Sequence, residues 1–458
     1  MAFWDYSVWG IINLTAVLML SLFIANVIKR NVPFLKNSLI PTSVLGGVLL
    51  LIVSTISEYC FNVKLFSTNF FGRIGTDGLE ALTYHALALG FIATTFSSVN
   101  KNKGKERNVE IINTGVTTVS TYLLQAILGL TITLIIGALV PSICNYSGII
   151  LPFGFGQGTG QALNWGNIYE TEHGFIGGAN FGLTIAAIGF LSASLGGVVF
   201  LNVNKNKFKN KLEFNGEGFL TYENVQNSDE IPMNGSIDKI TFQVAFVVIS
   251  YFISYLIMLA ISSLIPSSKN LIFGFNFLFG VIVAYLIKVT VNFLKKKNVI
   301  RRQYMNEFLM TRISGFCFDI MIVAGIGAIR IELLKDYWWT VLLLTVIGAV
   351  ATYAYNLIVA KTLFKKYSNE QFLAMYGMLT GTASTGLVLL KEIDNDFSTP
   401  VKDNLVFQNF PAIVLGFPIM ILANIVPTQP YLCLIILTVM FILLNLFLFR
   451  TKIFKKVH

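Results

Sequence analysis

The polar groups best suited to bind a small solute lie in a glycine-rich segment, Leu151 to Gln161, with four glycines within seven residues. Each glycine in a helix interior costs about 1 kcal/mol relative to alanine, so the segment is expected to interrupt a helix. A helix that restarts after the break offers N–H groups and a partial positive charge to an anion. The alternative is a glycine face that packs closely against another helix. The candidate substrate-binding residues are Gly156, Gln157, Gly158, Thr159, Gly160 and Gln161.

A second segment, Gly377 to Gly386, combines three glycines with four hydroxyl side chains. Hydroxyls and free backbone carbonyls are hard oxygen ligands, which suit a dehydrated cation such as sodium. Serine and threonine are also common where helices pack in membranes, and that is the alternative here. The candidate ion-binding residues of this segment are Thr382, Ser384, Thr385 and Gly386.

Three further polar side chains fall inside apolar stretches. Asn180 and Asn409 each follow one of the glycine-rich segments, and an amide at membrane depth is costly unless it is paired or bound to substrate. Each therefore contacts substrate or forms a hydrogen bond between helices. Asp319 lies in the middle of an apolar stretch, where a carboxylate is a candidate coupling-ion ligand or proton carrier.

Composition places these residues in a membrane protein. The chain has 458 residues, of which 55% are hydrophobic and 12% are charged, about half the charge of a soluble protein. The net charge of +10 comes from short basic clusters between apolar stretches, which set membrane orientation, and no basic face suited to nucleic acid is evident. The four cysteines and three histidines are dispersed, without the spacing of a metal or redox site. No metal or cofactor is expected beyond sodium.

Eleven apolar stretches are long enough to cross a hydrocarbon core of about 30 Å. They lie near residues 7–28, 39–57, 79–99, 110–138, 174–203, 241–265, 270–294, 307–330, 338–360, 404–426 and 429–449. The basic loop residues fall mostly on one side if the amino terminus is outside and the carboxyl terminus inside. This holds only if the two glycine-rich segments, near 148–165 and 371–390, fold back without crossing. We therefore expect a multi-pass protein of the plasma membrane with two re-entrant hairpins.

The order of these elements predicts two inverted repeats. Each half has five spans with a glycine-rich segment before the fifth, and an odd number of spans inverts the second copy. Thr159-Gly160-Gln161-Ala162-Leu163 also resembles Thr385-Gly386-Leu387-Val388-Leu389. The predicted organisation is a first repeat at 1–203, a cytoplasmic linker at 204–239, a second repeat at 240–427, and an extra transmembrane helix with a basic tail at 428–458.

Several of these patches resemble one known family. Gly156-Gln157-Gly158-Thr159-Gly160 is similar to the Gly-Gly-His-Gly-Thr-Gly signature of the bacterial glutamate:sodium symporter family. The resemblance extends to the patch from Phe34 to Pro41, to Gly46-Gly47, to Gln125, to Phe181-Gly182-Leu183 and to Gly196-Gly197. The chain departs from the family at Gln157, where the signature has histidine, and across Gly377–Gly386, where the second signature is replaced.

The resemblance implies a sodium-coupled importer of glutamate or a related small organic anion. It also implies a homodimer that works by an elevator motion, with Gln157–Gly160 at the tip of the first hairpin and Thr382–Gly386 at the tip of the second. The alternatives within transport are an exporter and a proton-coupled carrier that uses Asp319. An intramembrane enzyme would need converging titratable residues, which are dispersed here, so no enzymatic activity is expected. A nucleotide-binding loop is also absent from the sequence.

Overall fold

The computed structural model describes residues 3–36, 38–97, 105–204, 237–266, 269–394 and 399–450. These residues form α-helices joined by turns and short 3-10 helices, and none of them is in a β-strand. The predicted all-α fold is therefore confirmed. Most of the predicted linker, residues 205–236, and the basic tail, residues 451–458, lie outside the described residues.

Eight helices make up the amino-terminal half. They are α1 (Tyr6–Asn31), α2 (Pro33–Lys36), α3 (Thr42–Phe61), α4 (Thr76–Ser97), α5 (Lys105–Leu139), α6 (Leu151–Gln157), α7 (Thr159–His173) and α8 (Gly178–Val203). Local chemistry determines several boundaries. The helix α3 starts after Pro41 and ends at Asn62, which has a left-handed conformation (φ 54°). The N–H of Asn62 then donates to the carbonyl of Glu58 at 3.0 Å and the N–H of Val63 to the carbonyl of Ser57 at 3.2 Å.

Ten helices follow the linker. They are α9 (Lys239–Leu264), α10 (Lys269–Gly274), α11 (Asn276–Lys296), α12 (Glu307–Gly327), α13 (Trp338–Leu363), α14 (Ser368–Thr380), α15 (Ala383–Lys391), α16 (Val401–Phe407), α17 (Asn409–Ile425) and α18 (Pro430–Leu448). Asp238 caps α9, because its carboxylate accepts the N–H of Ile240 at 2.7 Å.

Ten helices in the described residues are long and apolar enough to cross a membrane: α1, α3, α4, α5, α8, α9, α11, α12, α13 and α18. An eleventh crossing is formed if the pair 401–407 and 411–425, bent by 48°, counts as one span. Many large apolar side chains on these helices face outward, and Leu443 is 59% exposed. Such faces are unfavourable in water and suit lipid. By the length and composition of its helices, this is a multi-pass membrane protein.

The described residues divide into two compact units. The first contains residues within Met1–Glu80, Lys103–Gly216 and Ile322–His458. The second contains residues within Ala81–Asn102 and Glu217–Met321. This division cuts across the predicted repeats, since the first unit takes helices from both halves of the sequence.

In the second unit, α9 packs against α11, and polar bonds join its helices. The hydroxyls of Thr94 and Ser314 are 2.6 Å apart, and Lys288 donates to the carbonyl of Thr95 at 2.8 Å. The amide of Gln243 is fully used, because its nitrogen donates to the carbonyl of Tyr304 at 2.8 Å and its oxygen accepts the N–H of Asn306 at 3.0 Å.

Candidate functional site

The first glycine-rich segment forms two helices separated by one residue. The helix α6 ends at Gln157 and α7 begins at Thr159, and Gly158 lies between them with φ 80° and ψ −170°. Only glycine adopts this conformation without strain. The ring of Phe153 on α6 stacks on Trp165 of α7 with centroids 5.1 Å apart, so the chain folds back at the break. The seven residues of α6 cover about 10 Å, too short to cross a membrane.

The second segment has the same form. The helix α14 ends at Thr380 and α15 begins at Ala383, with Thr382 in an extended conformation between them. A Cβ on Gly377 would lie 2.8 Å from the Cα of Gly386, so the two helices approach backbone to backbone and run antiparallel. The nine residues of α15 cover about 13 Å, again less than the membrane thickness.

Both breaks end against the same turn of α5. The hydroxyl of Tyr122 donates to the carbonyl of Gly156 at 3.1 Å, and the amide nitrogen of Gln125 donates to the carbonyl of Leu379 at 2.9 Å. These two carbonyls lie in the last turns of α6 and α14, where no later N–H of the same helix can reach them. Donors spaced one turn apart on α5 therefore satisfy one such carbonyl at each break.

A glycine of α8 brings the two breaks together from another side. A Cβ on Gly189 would lie 2.5 Å from the carbonyl oxygen of Thr380 and 3.0 Å from the ring of Phe155. Thr380 ends α14, and Phe155 lies in the last turn of α6. The tips of both helix pairs therefore meet within the first unit, between α5 and α8.

Gln161 is the predicted site residue whose surroundings are most unusual. Its side chain is completely buried, and neither its amide nitrogen nor its amide oxygen has a hydrogen-bond partner among the described residues. A buried polar group without a partner costs about 1–3 kcal/mol. The residue lies in the first turn of α7, one turn before Trp165. An uncompensated amide at a helix amino terminus is suited to bind a ligand.

The other residues at the first break pack closely. Thr159 is completely buried, and a Cβ on Gly325 of α12 would lie 2.7 Å from its Cβ. A Cβ on Gly156 would collide with the ring of Tyr122. Gly160 is also buried within α7. Close packing therefore surrounds the unpaired amide of Gln161 at this break.

At the second break, the hydroxyls of Thr382 and Thr385 are 3.4 Å apart and both side chains are buried. Gly386 allows α15 to approach α14, because a Cβ there would lie 2.3 Å from the carbonyl of Ala374. The side chain of Ser384 lies outside the described residues.

The two candidate asparagines have different surroundings. The amide of Asn180 donates to the carbonyl of Arg330 at 2.8 Å and accepts the N–H of the same residue at 2.5 Å. Both ends of this side chain therefore hold the loop before α13. Asn409 begins α17 at the bend of the broken span, and its oxygen accepts from the amide of Gln408 at 2.9 Å. Asp319 is exposed and lies in the second unit, whereas both breaks lie in the first.

A buried polar stripe on α5 connects the second helix pair with the bend before α17. Thr114, Thr118, Thr121 and Gln125 occupy one face of the helix at intervals of three or four residues, and all are at most 1% exposed. Each contacts a polar side chain outside α5. The pairs are Thr114 with Gln371 (3.3 Å), Thr118 with Gln408 (2.9 Å), Thr121 with Asn356 (3.4 Å) and Gln125 with Thr352 (2.9 Å).

Of this stripe, only Gln125 belongs to the patches that resemble a known family. The helical spacing of threonines inside an apolar span was the signal that could have revealed the rest. Threonine hydroxyls in helices often donate to the carbonyl four residues earlier, as Thr121 does to Thr117 at 2.8 Å. The oxygens of Thr114 and Thr121 then remain available and accept from the amides of Gln371 and Asn356, whereas the hydroxyl of Thr118 donates to the amide oxygen of Gln408.

An open cavity of about 420 Å³ lies at the ends of α5 and α7, where α13 begins. It is lined by loop residues and aromatic rings, among them Cys144, Tyr146, Phe175 and Tyr337. Burial raises the pKa of the Cys144 thiol to about 11, so this cysteine stays protonated at neutral pH. No cluster of three or more histidine, cysteine, aspartate or glutamate residues suited to a metal occurs in the described ranges.

Comparison with known proteins adds no assignment. No model of a protein family matches the chain, and no curated protein is significantly similar to it. The resemblance to glutamate:sodium symporters therefore stays a prediction from the residues themselves.

Proposed function

We propose that the chain is a secondary active transporter that couples sodium to the import of glutamate or a related small organic anion. The observation that carries the proposal is the meeting of two broken helices against Tyr122 and Gln125 of α5, beside the unpaired amide of Gln161. Broken helices that meet inside a bundle are the usual construction of substrate sites in secondary transporters.

The proposed architecture is a pair of inverted repeats, each with a re-entrant hairpin. The order of the helices supports this: α5, the pair α6–α7 and then α8 correspond to α13, the pair α14–α15 and then the broken span α16–α17. Neither helix pair has a member as long as the other spans, so each pair enters and leaves on one side. With the amino terminus outside, the first hairpin opens outward and the second inward.

The two hairpins offer different chemistry. The amino-terminal turn of α7 presents N–H groups and the amide of Gln161, which suit a carboxylate. The carboxyl-terminal turn of α14 presents carbonyl oxygens, and Thr382 and Thr385 add hydroxyls, which suit a cation. The residues identified at the two breaks are all uncharged, so a sodium ion bound nearby would offset the charge of an anionic substrate.

In this proposal the substrate and sodium move together with the hairpins while other helices stay fixed in the membrane, as in an elevator. The protein would lie in the plasma membrane as a homodimer. A proton-coupled carrier remains the alternative that would use Asp319, a residue of the second unit. An intramembrane enzyme finds less support, because the uncharged residues at the breaks offer no nucleophile paired with a base.

Reconstitution into liposomes tests the proposal. We expect labelled glutamate to accumulate when an inward sodium gradient is imposed, and not when choline replaces sodium. Uptake driven equally by a proton gradient without sodium would favour the proton-coupled alternative. Uptake of a different labelled anion alone would change the substrate and retain the mechanism. Absence of gradient-driven uptake for all small anions tried would refute a transport function.

Substitution of Gln161 separates binding from packing. Replacing a buried amide that has no partner with an apolar residue of similar size removes the cost of the unpaired group, so the change is neutral or stabilising. Gln161→Leu should therefore keep or raise the thermal stability of the protein while reducing glutamate affinity at least tenfold. As a matched control, Gln243→Leu removes an equally buried amide whose atoms are all bonded, and should lower stability without changing affinity. Unchanged affinity in Gln161→Leu would contradict a role in binding.

A further inference from the structure

Two buried amides on neighbouring helices use only their nitrogen atoms. Gln125 on α5 donates from its nitrogen to the hydroxyl of Thr352 and to the carbonyl of Leu379, both at 2.9 Å. Asn356 on α13 donates from its nitrogen to the carbonyl of Thr352 at 2.9 Å and to the hydroxyl of Thr121 at 3.4 Å. Neither amide oxygen has a hydrogen-bond partner among the described residues, although both side chains are at most 1% exposed.

Rotating either amide does not repair this arrangement, and for Asn356 it would place the amide oxygen against the carbonyl of Thr352. The nitrogen and oxygen of an amide can be exchanged by a half turn. For Gln125, however, the exchange would place its oxygen against the carbonyl of Leu379, which is also an acceptor. The cluster around Thr352 therefore contains more oxygen acceptors than donors. A bound cation resolves such a surplus, because it is coordinated by several oxygens and needs no donor.

The surroundings favour a monovalent cation. Leu379 lies in the last turn of α14, and the carboxyl-terminal end of a helix carries about half a negative charge. The ligand set consists of two amide oxygens, one hydroxyl and one backbone carbonyl, with no carboxylate among them. Protein sites for calcium and magnesium ordinarily include carboxylates, so a divalent ion is poorly compensated here.

We propose that Gln125, Thr352, Asn356 and the carbonyl of Leu379 bind a dehydrated alkali-metal cation, with sodium as the expected ion. This site is distinct from the hydroxyl cluster at Thr382 and Thr385. The ion joins the end of α14, through the carbonyl of Leu379, to Gln125 of α5 and to Thr352 and Asn356 of α13. The role of this cation as the coupling ion rests on the proposed transport function, whereas the existence of the site does not.

Thermal unfolding of the purified full-length protein in detergent tests the site without substrate and without transport. Sodium chloride is titrated against choline chloride at constant ionic strength, with parallel titrations of lithium and potassium. An ion that binds only the folded state raises the unfolding temperature in a saturable manner. We expect sodium to do so, and choline to have no such effect.

Three variants locate the effect. Thr352→Val replaces the hydroxyl with a methyl group of similar size, and we expect the apparent sodium affinity to fall at least tenfold. Asn356→Leu should also lower the apparent sodium affinity at least tenfold. With two variants, the site can still be tested if one of them fails to fold. Gln243→Leu, in the second unit, is the control: it should lower the unfolding temperature but keep the sodium titration of the wild-type protein.

The outcomes separate this site from the proposed function. A potassium response that exceeds the sodium response and is lost in Thr352→Val supports the site and changes the ion. If no alkali cation raises the unfolding temperature of the wild-type protein, the proposed site is wrong. It is also wrong if Thr352→Val folds and has the same sodium titration as the wild-type protein. Sodium stabilisation that depends on Thr352, in a protein without gradient-driven uptake, would support the site and refute transport.

Discussion

Enlarging Gly189 tests whether the two helix breaks must meet. In Gly189→Ala the new Cβ would lie 2.5 Å from the carbonyl oxygen of Thr380 and 3.0 Å from the ring of Phe155. An ordinary contact is about 3.5 Å or more, so the end of α14 must move by about 1 Å. Overpacking of this kind costs about 1–3 kcal/mol. Alanine in place of glycine within α8 returns about 1 kcal/mol through helix propensity.

The net cost for the whole protein is therefore about 0–2 kcal/mol, and the fold should survive. The displacement falls on the proposed site, where a loss of 1–2 kcal/mol in binding is a factor of about 5–30. We expect the glutamate concentration for half-maximal uptake in liposomes to rise by that factor. The unfolding temperature in detergent should change by only a few degrees.

Gly416→Ala is the matched control. Gly416 also lies in a long helix of the first unit, but a Cβ there would make only an ordinary contact, 3.7 Å from Val119. This variant should keep the wild-type uptake curve. If Gly189→Ala and Gly416→Ala behave alike in both uptake and unfolding, the inference that the meeting of the two tips forms the binding site is wrong.

Three further outcomes are expected. Gly158→Ala should lower stability by about 1–3 kcal/mol, because φ 80° and ψ −170° at this position strain any residue other than glycine. Gly174→Ala is the control and should cost less, since Gly174 has φ 70° but lies in open space. Equal unfolding temperatures of the two variants would contradict this prediction. Asn180→Ala should destabilise the protein by about 1–3 kcal/mol through the unpaired backbone of Arg330 while leaving glutamate affinity unchanged, and an affinity loss without destabilisation would return Asn180 to the substrate site. Burial raises the pKa of Glu392 and outweighs the attraction of Lys29, which lowers it. The folded protein therefore favours the protonated carboxyl. The contribution of Glu392 to stability is fully present below its ordinary pKa and is lost as pH rises through its folded-state pKa. Glu392→Gln should therefore stabilise the protein at pH 8 more than at pH 5, measured by unfolding temperature, and the opposite trend would show that Lys29 dominates.

The helix breaks were predictable because they follow from local chemistry. Four glycines in seven residues weaken a helix, and the structure places the first break at Gly158, within the predicted hairpin. The other three glycines lie inside α6 and α7. The second break falls between Thr380 and Ala383. The short sequence match had aligned Thr159 with Thr385, but Thr159 begins α7 whereas Thr385 is the third residue of α15. A match of five residues was too short to determine the register of the proposed repeat.

The sequence alone determined the all-α class, the apolar lengths and the positions of the breaks, because each depends on neighbouring residues. Only the tertiary structure decided which polar side chains meet. Gln125 and Leu379 are 254 positions apart, and Asn180 and Arg330 are 150 apart. No local spacing encodes such pairs, since an amide in an apolar span is equally costly whether its partner is a loop, a helix end or a ligand. Packing assigned Asn180 to a loop, and left Gln161 and the oxygens of Gln125 and Asn356 without a partner among the described residues.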